Sequence, residues 1–200
     1  MAIIVDKVQK RKNIALSCQN LFMQKDINNV TISEIAKTAG IGKGTVYEYF
    51  KNKEDIVFEI INILTLEHDV KKQKMIKEQK TPKDKTKAFF SFFYSEDNDD
   101  VVLRHFYKEF ISISLVNENS EMFAYQSECF KKYRNWLEEI IQEGIDNNEI
   151  IKESKNLING MFAVGNGMFI SSSSTNIITD LQKDISDYFD ELFKLIEVKK

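Results

Sequence analysis

Thr31-Ile-Ser-Glu-Ile-Ala-Lys-Thr-Ala-Gly-Ile-Gly-Lys-Gly-Thr-Val-Tyr-Glu-Tyr-Phe50 is the stretch that decides how the chain folds. It opens with a capping box, in which the Thr31 side chain caps a new helix and Glu34 reaches back to the cap. Ile32, Ile35, Ala36 and Ala39 then fall on one helical side. Gly40 closes that helix, because glycine accepts positive φ without steric cost. After Gly42 a second segment carries Val46 and Phe50 four residues apart. Taken alone, Thr45–Phe50 alternates and is β-branched and aromatic, as strands are. No neighbouring run offers it a partner, and a lone strand is not stable, so a second helix is expected. Two short helices joined by a glycine turn make a helix-turn-helix, whose second helix enters the major groove of DNA.

Outward from this motif the chain reads as helix throughout. Upstream, Ile14, Cys18, Leu21 and Phe22 mark one face of a helix over residues 7–25. It stops around Asp26 to Asn29, residue types that tolerate the left-handed geometry of helix ends. Downstream, a long helix is expected over 53–80, broken before Pro82, the chain's one proline. Further helices are expected near 83–94, 101–116, 121–146, 153–172 and 177–198, with an acidic turn at Glu96–Asp100. That makes about nine helices and an all-α fold. One proline and seven glycines in 200 residues are too few for the frequent turns of a sheet protein.

Charge divides the chain. Residues 1–53 carry nine Lys/Arg against four Asp/Glu, whereas the remainder carries 19 against 27. A basic head on an acidic body places any polyanion contact on the head alone. The expected organisation is therefore a DNA-binding domain at 1–53 and a second helical domain at 54–200. Cys18 and Cys129 are too few for a disulfide framework and read as reduced core thiols. The apolar stub Met1–Val5 lacks the pattern of a signal peptide, and no apolar run reaches the roughly 18 residues of a membrane helix. A cytoplasmic protein is expected.

The recognition helix begins with Gly42, Lys43, Gly44 and Thr45. Small residues let the backbone approach DNA, and Lys43 and Thr45 can donate to bases or phosphates. Tyr47 and Tyr49 add hydroxyls, and Lys53 stands at the start of the next helix, where free backbone N–H groups favour a phosphate. Thr31-Ile-Ser-Glu-Ile-Ala36, Ala39-Gly40-Ile41, Gly44-Thr-Val-Tyr47, Tyr49-Phe50 and Lys53-Glu54-Asp-Ile56 follow the order and spacing of the TetR-family DNA-binding domain, and Leu21-Phe22 stands where that family ends its first helix. Residues 11–58 thus resemble that family over about a quarter of the chain. The departures are Asp26 for a usual Gly, Gly42 for a frequent Ser, and Ser17-Cys18 for a pair of alanines. The resemblance implies phosphate contacts by Thr31, Tyr47, Tyr49 and Lys53, base-edge contacts by Lys43, Gly44 and Thr45, and a core role for Val46 and Phe50. For the tyrosines, packing against the first helix is the plain alternative.

Beyond residue 58 the resemblance supplies only an architecture. Phe89, Phe92 and Phe93, then Phe106, Tyr107 and Phe110, then Tyr125, Phe130, Tyr133 and Trp136 lie on three successive aromatic helices. They can fill a core or line an apolar pocket with a few polar handles. As a set they point to a hydrophobic or aromatic effector. Neither His68 nor His105 has a ligand-spaced partner, so no metal is expected. Gly160, Ala163, Gly167 and Ser171 form a stripe of small residues, and Leu181, Ile185, Tyr188 and Leu192 a second apolar stripe. In TetR-like proteins the last two helices form a four-helix dimer interface, which implies a homodimer here; packing within the subunit is the alternative. The basic run Lys71–Lys80 reads as a solvated helix face.

The function expected is a DNA-binding regulator, by the family's habit a repressor, released from a palindromic operator by a small effector. One rival is a DNA-binding protein of this fold with no effector. The other is an enzyme, but the chain holds no HExxH, no phosphate-binding glycine loop and no nucleotide or cofactor fingerprint.

Overall fold

The computed structural model describes residues 6–116 and 120–199. The stub Met1–Val5 lies outside the described residues. Every helix expected from the sequence is present among them. They are α1 (Lys7–Ser17), α2 (Gln19–Gln24), α3 (Ile32–Ala39), α4 (Lys43–Tyr49), α5 (Lys53–Glu78), α6 (Pro82–Phe90), α7 (Asn98–Val116), α8 (Ser120–Asp146), α9 (Ile158–Ser174) and α10 (Leu181–Ile196), with 3-10 turns at Ile27–Asn29, Ser91–Phe93 and Lys152–Leu157. The expected first helix is interrupted at Cys18, whose N–H bonds back to Ala15 and Leu16 before α2 resumes. Antiparallel bridging appears between Ile150 and Glu197 alone among the described residues. No helix of these residues is long and apolar enough to cross a membrane.

The end of α2 departs from expectation. Lys25 and Asp26 leave it in extended conformation, at φ −140° and −53°, and the 3-10 turn follows. Asp26 therefore carries no left-handed strain. Elsewhere the local signals act as read: Gly40 sits at φ 65° and closes α3.

Contacts divide the chain into two compact units, Met1–His68 with Val101–Met122, and Asp69–Asp100 with Phe123–Lys200. The first unit is centred on Ile35, Val46, Phe50, Ile56 and Ile60, each at most 2% exposed. Within it His105 Nε2 lies 3.1 Å from the carbonyl oxygen of Phe22, and Phe58 stacks on Phe110 at 6.3 Å. The second unit is built round Phe90, Leu137, Ile141, Met161, Ile185, Phe189 and Phe193. Gly165 is required there, since a Cβ would stand 2.4 Å from the Phe90 ring.

Candidate nucleic-acid interface

The capping box of α3 forms completely. Thr31 Oγ1 accepts from the Glu34 N–H at 3.3 Å and donates to Glu34 Oε2 at 2.8 Å, while the Thr31 N–H donates to the same oxygen at 2.9 Å. The Thr31 hydroxyl proton is thus already engaged by Glu34. Lys25 completes the group with its ammonium 2.5 Å from Glu34 Oε1. That lysine, and then the Thr31 donors, hold the Glu34 carboxyl down to about 2 from its ordinary 4.5. A carboxyl depressed by folding stabilises above its unfolded value and loses that effect as pH falls towards its folded value. Acid unfolding of the first unit should therefore gain a component between about pH 4.5 and 2. Circular dichroism of Glu34→Gln over that window should show a flatter pH dependence than the parent, modest because the pair is exposed.

After Gly40 and Ile41, Gly42 enters α4 in extended conformation. Val46 and Phe50 turn inward at 0% and 2% exposure, which fixes the opposite side of α4 outward. Lys43 and Gly44 are exposed, Thr45 and Tyr49 half-buried, and Tyr47 is 60% exposed. Two glycines here have no internal reason to be small. A Cβ on Gly44 would meet nothing within 4 Å, and one on Gly42 only Thr45 Oγ1 at 4.0 Å. Of the sequence-predicted residues, Gly42, Lys43, Gly44 and Tyr47 are therefore exposed together at α4, with Thr45 half-buried among them. Lys53 is held differently: its ammonium donates to the carbonyls of Asn28 and Val30, at 2.9 and 3.3 Å, and so ties α5 to the turn before α3.

Two residues of this region carry no signal in the sequence. Lys25 neutralises Glu34 from nine residues away. Arg11 reaches Glu59 and the Tyr49 carbonyl across 48 and 38 residues. No local spacing rule covers such separations.

Residues 19–60 match the family described as bacterial regulatory proteins, tetR family. The resemblance read from residues 11–58 is thus matched by that family over residues 19–60, about a fifth of the chain. The fatty acid metabolism regulator protein of Bacillus subtilis (strain 168) is 34% identical over 123 residues, 60% of this chain. That match spans 59% of the relative's length. Over nearly the whole chain the fold is that of solved TetR-family structures. A TetR-family transcriptional regulator from Cytophaga hutchinsonii superposes with a TM-score of 0.76 at 18% identity, covering 98% of this chain and 99% of that one. The regulator FadR of Bacillus subtilis in complex with stearoyl-CoA superposes with a TM-score of 0.62 at 24% identity, covering 92% and 95%.

The aromatic residues read as an effector pocket fall in both units. Phe106, Tyr107 and Phe110 belong to the first, and Phe89, Phe92, Phe93, Tyr125, Phe130, Tyr133 and Trp136 to the second. In the second unit Phe93 lies against Phe169 at 5.0 Å and Phe92 at 5.5 Å, and Phe89 and Phe130 approach Phe162 at 6.2 and 4.8 Å. Tyr133 and Trp136 meet edge to face at 5.3 Å. The Tyr133 hydroxyl donates to Asp69 at 2.9 Å, and Lys132 approaches the other Asp69 oxygen at 2.5 Å. Burial first, and then the Asp69 charge, pushes the Tyr133 phenol well above its ordinary range. A hollow of about 160 Å³ opens between α5, α6 and α8, bordered by Ile76, Lys77, Lys85, Trp136, Glu139 and Ile140 among others. It is smaller than the roughly 300 Å³ at which ligand pockets begin.

The stripe of small residues is available. Gly160, Ala163 and Gly167 are exposed and Ser171 half-buried, and a Cβ on either glycine would meet nothing within 4 Å. On α10, Leu181, Tyr188 and Leu192 pack half-buried against the unit's core. Ile185 is wholly inside that core, because it shares the inward side with Phe189, Phe193 and Ile196. The outward side of α10 presents Leu195, at 79% exposure.

Proposed function

We propose that this chain is a sequence-specific DNA-binding transcription regulator that works as a cytoplasmic homodimer. The observation that carries the reading is the outward face of α4, where Lys43, Thr45 and Tyr47 flank glycines whose smallness answers to nothing inside the chain. The reading head is residues 1–53, with Thr31, Tyr49 and Lys53 beside that face. Residues 54–200 form the sensing and dimerisation domain. Two recognition helices about 34–36 Å apart in the dimer reach successive major grooves of a palindromic operator.

For the dimer, the stripe of exposed Gly160, Ala163 and Gly167 with half-buried Ser171 lets a second helix approach closely, and Ile170 on the same helix and Leu195 on α10 are exposed apolar residues. The effector is hydrophobic. A relative named for fatty acid metabolism and a structural neighbour holding stearoyl-CoA make a long-chain acyl thioester the first probe. The protein acts as a repressor, in which bound effector favours a subunit geometry with the wrong helix spacing. A differential preference of order 1–3 kcal/mol lowers operator affinity roughly 5–150-fold.

Gel-shift titration of the full chain on its own upstream DNA, with and without stearoyl-CoA, tests both parts. Specific retardation weakened 5-fold or more by the thioester is the expected result. Operator and thioester bound together without mutual effect would sink the coupling. No specific retardation under any condition would sink the DNA-binding reading.

A further inference from the structure

Arg11, on α1, makes three contacts at once. Its Nε donates to Glu59 Oε2 on α5 at 2.8 Å. One terminal nitrogen donates to the carbonyl oxygen of Tyr49, the last residue of α4. The guanidinium carbon stands 4.3 Å from the centroid of the Phe50 ring. The pair is largely withdrawn from water, at 29% exposure for the Arg11 side chain and 12% for Glu59.

Each contact answers a need of the recognition helix. Carbonyls in the last turn of a helix have no partner within it and carry the negative end of its dipole. The last turn of α4 holds no basic residue of its own. At seven residues α4 is also far too short to be stable alone, so its partners set its direction. A planar guanidinium can bond a carbonyl and a carboxylate in fixed directions while lying against an aromatic ring, which an ammonium cannot do.

We infer that Arg11 is a positioning residue for DNA recognition: held by Glu59, it grips the end of α4 and so fixes the angle at which the outward face of α4 meets the groove. This rests on the DNA-binding reading above. The lever is short but sufficient. From Tyr49 to Lys43 is about 9 Å of helix, so a pivot of about 10° at the gripped end moves Lys43 by roughly 1.5 Å. Hydrogen bonds to base edges tolerate only about 0.5 Å. Phosphate contacts made by mobile lysines tolerate more, so loosening the grip should damage specific binding and spare non-specific binding.

The test uses the full chain carrying Arg11→Lys, which keeps the charge and loses the fork, and Glu59→Gln, which loosens the guanidinium. Both are compared with the parent well below their unfolding temperatures. Fluorescence anisotropy is measured on the operator and on an unrelated duplex over a salt series, and amide hydrogen exchange is followed along the chain. The expected result is a loss of about tenfold or more on the operator, with unrelated-duplex affinity and the salt slope unchanged. Amides of Val46–Phe50 should exchange about tenfold faster, and those of Ile35–Ala39 as before. A further variant, Arg11→Ala, removes the charge: a salt slope lowered by about one unit in it, relative to Arg11→Lys, would mean that Arg11 neutralises a phosphate itself, and would overturn the inference. So would unchanged operator affinity accompanied only by a lower melting temperature. If the parent binds no DNA specifically, the functional reading fails separately. The exchange arm then decides alone: unchanged exchange at Val46–Phe50 overturns the grip, and selective loosening there retains it.

Discussion

Phe189→Ala is expected to destabilise the second unit by about 3–5 kcal/mol, the usual cost of removing a phenyl ring from a packed core. Phe189 has no exposed surface, stacks on Phe90 at 4.7 Å, and meets Tyr188 edge to face at 5.1 Å. Phe90 has little freedom to close the gap, because its ring also rests on the backbone at Gly165. For a chain of this size the melting temperature should fall by about 6–20 °C. Trp136 is the sole tryptophan and lies in the same unit, so its fluorescence during thermal unfolding reports the change. A loss below about 1 kcal/mol would mean that the ring is not packed as described. Leu195→Ala makes the control: at 79% exposure it should cost less than about 0.5 kcal/mol within the subunit. If Leu195 lies at a dimer face, its replacement should instead make the melting temperature depend more strongly on protein concentration.

How much of this was legible in the sequence depends on the range over which each interaction acts. Thr31 with Glu34, and Gly40 at positive φ, are three-residue or one-residue rules, and the structure realises them as read. Val46 and Phe50 follow from helical period, whereas on α10 the stripe read as Leu181, Ile185, Tyr188 and Leu192 shares only Ile185 with the buried side Ile185, Phe189, Phe193 and Ile196. Ile185 shows the limit of that period. The stripe Leu181–Leu192 was correctly apolar, but periodicity alone does not say whether an apolar stripe faces its own core or a second chain. The break at Cys18 was hidden because its flanking residues keep one apolar face. Asp26 reads as a residue tolerating left-handed geometry, at a place where the family it resembles usually has a glycine. The extended Lys25 and Asp26 reach the next turn without positive φ, so that geometry is absent. Least legible were the joining of Val101–Met122 to the head's compact unit and the reach of Arg11 to Glu59. Both are long-range consequences of packing.

Lys43→Ala should lower operator affinity about 5–150-fold, the loss expected when a contact worth roughly 1–3 kcal/mol is removed. Lys43 is exposed in the first turn of α4 and makes no ion pair among the described residues, so its removal should leave the melting temperature unchanged. The salt series separates its two possible partners. If the ammonium meets a base edge, the loss is confined to the operator and the slope of log affinity against log salt stays as in the parent. If it meets a phosphate, operator and unrelated duplex weaken together and the slope falls by about one unit. Lys53 supplies the contrast, since its ammonium is already spent on the carbonyls of Asn28 and Val30. Lys53→Ala should lower the melting temperature as well as the affinity, because those carbonyls lose their donor. An affinity loss at Lys53 without any loss of stability would show that DNA competes successfully for that ammonium. Unchanged operator binding in Lys43→Ala would place the recognition surface elsewhere than the outward face of α4.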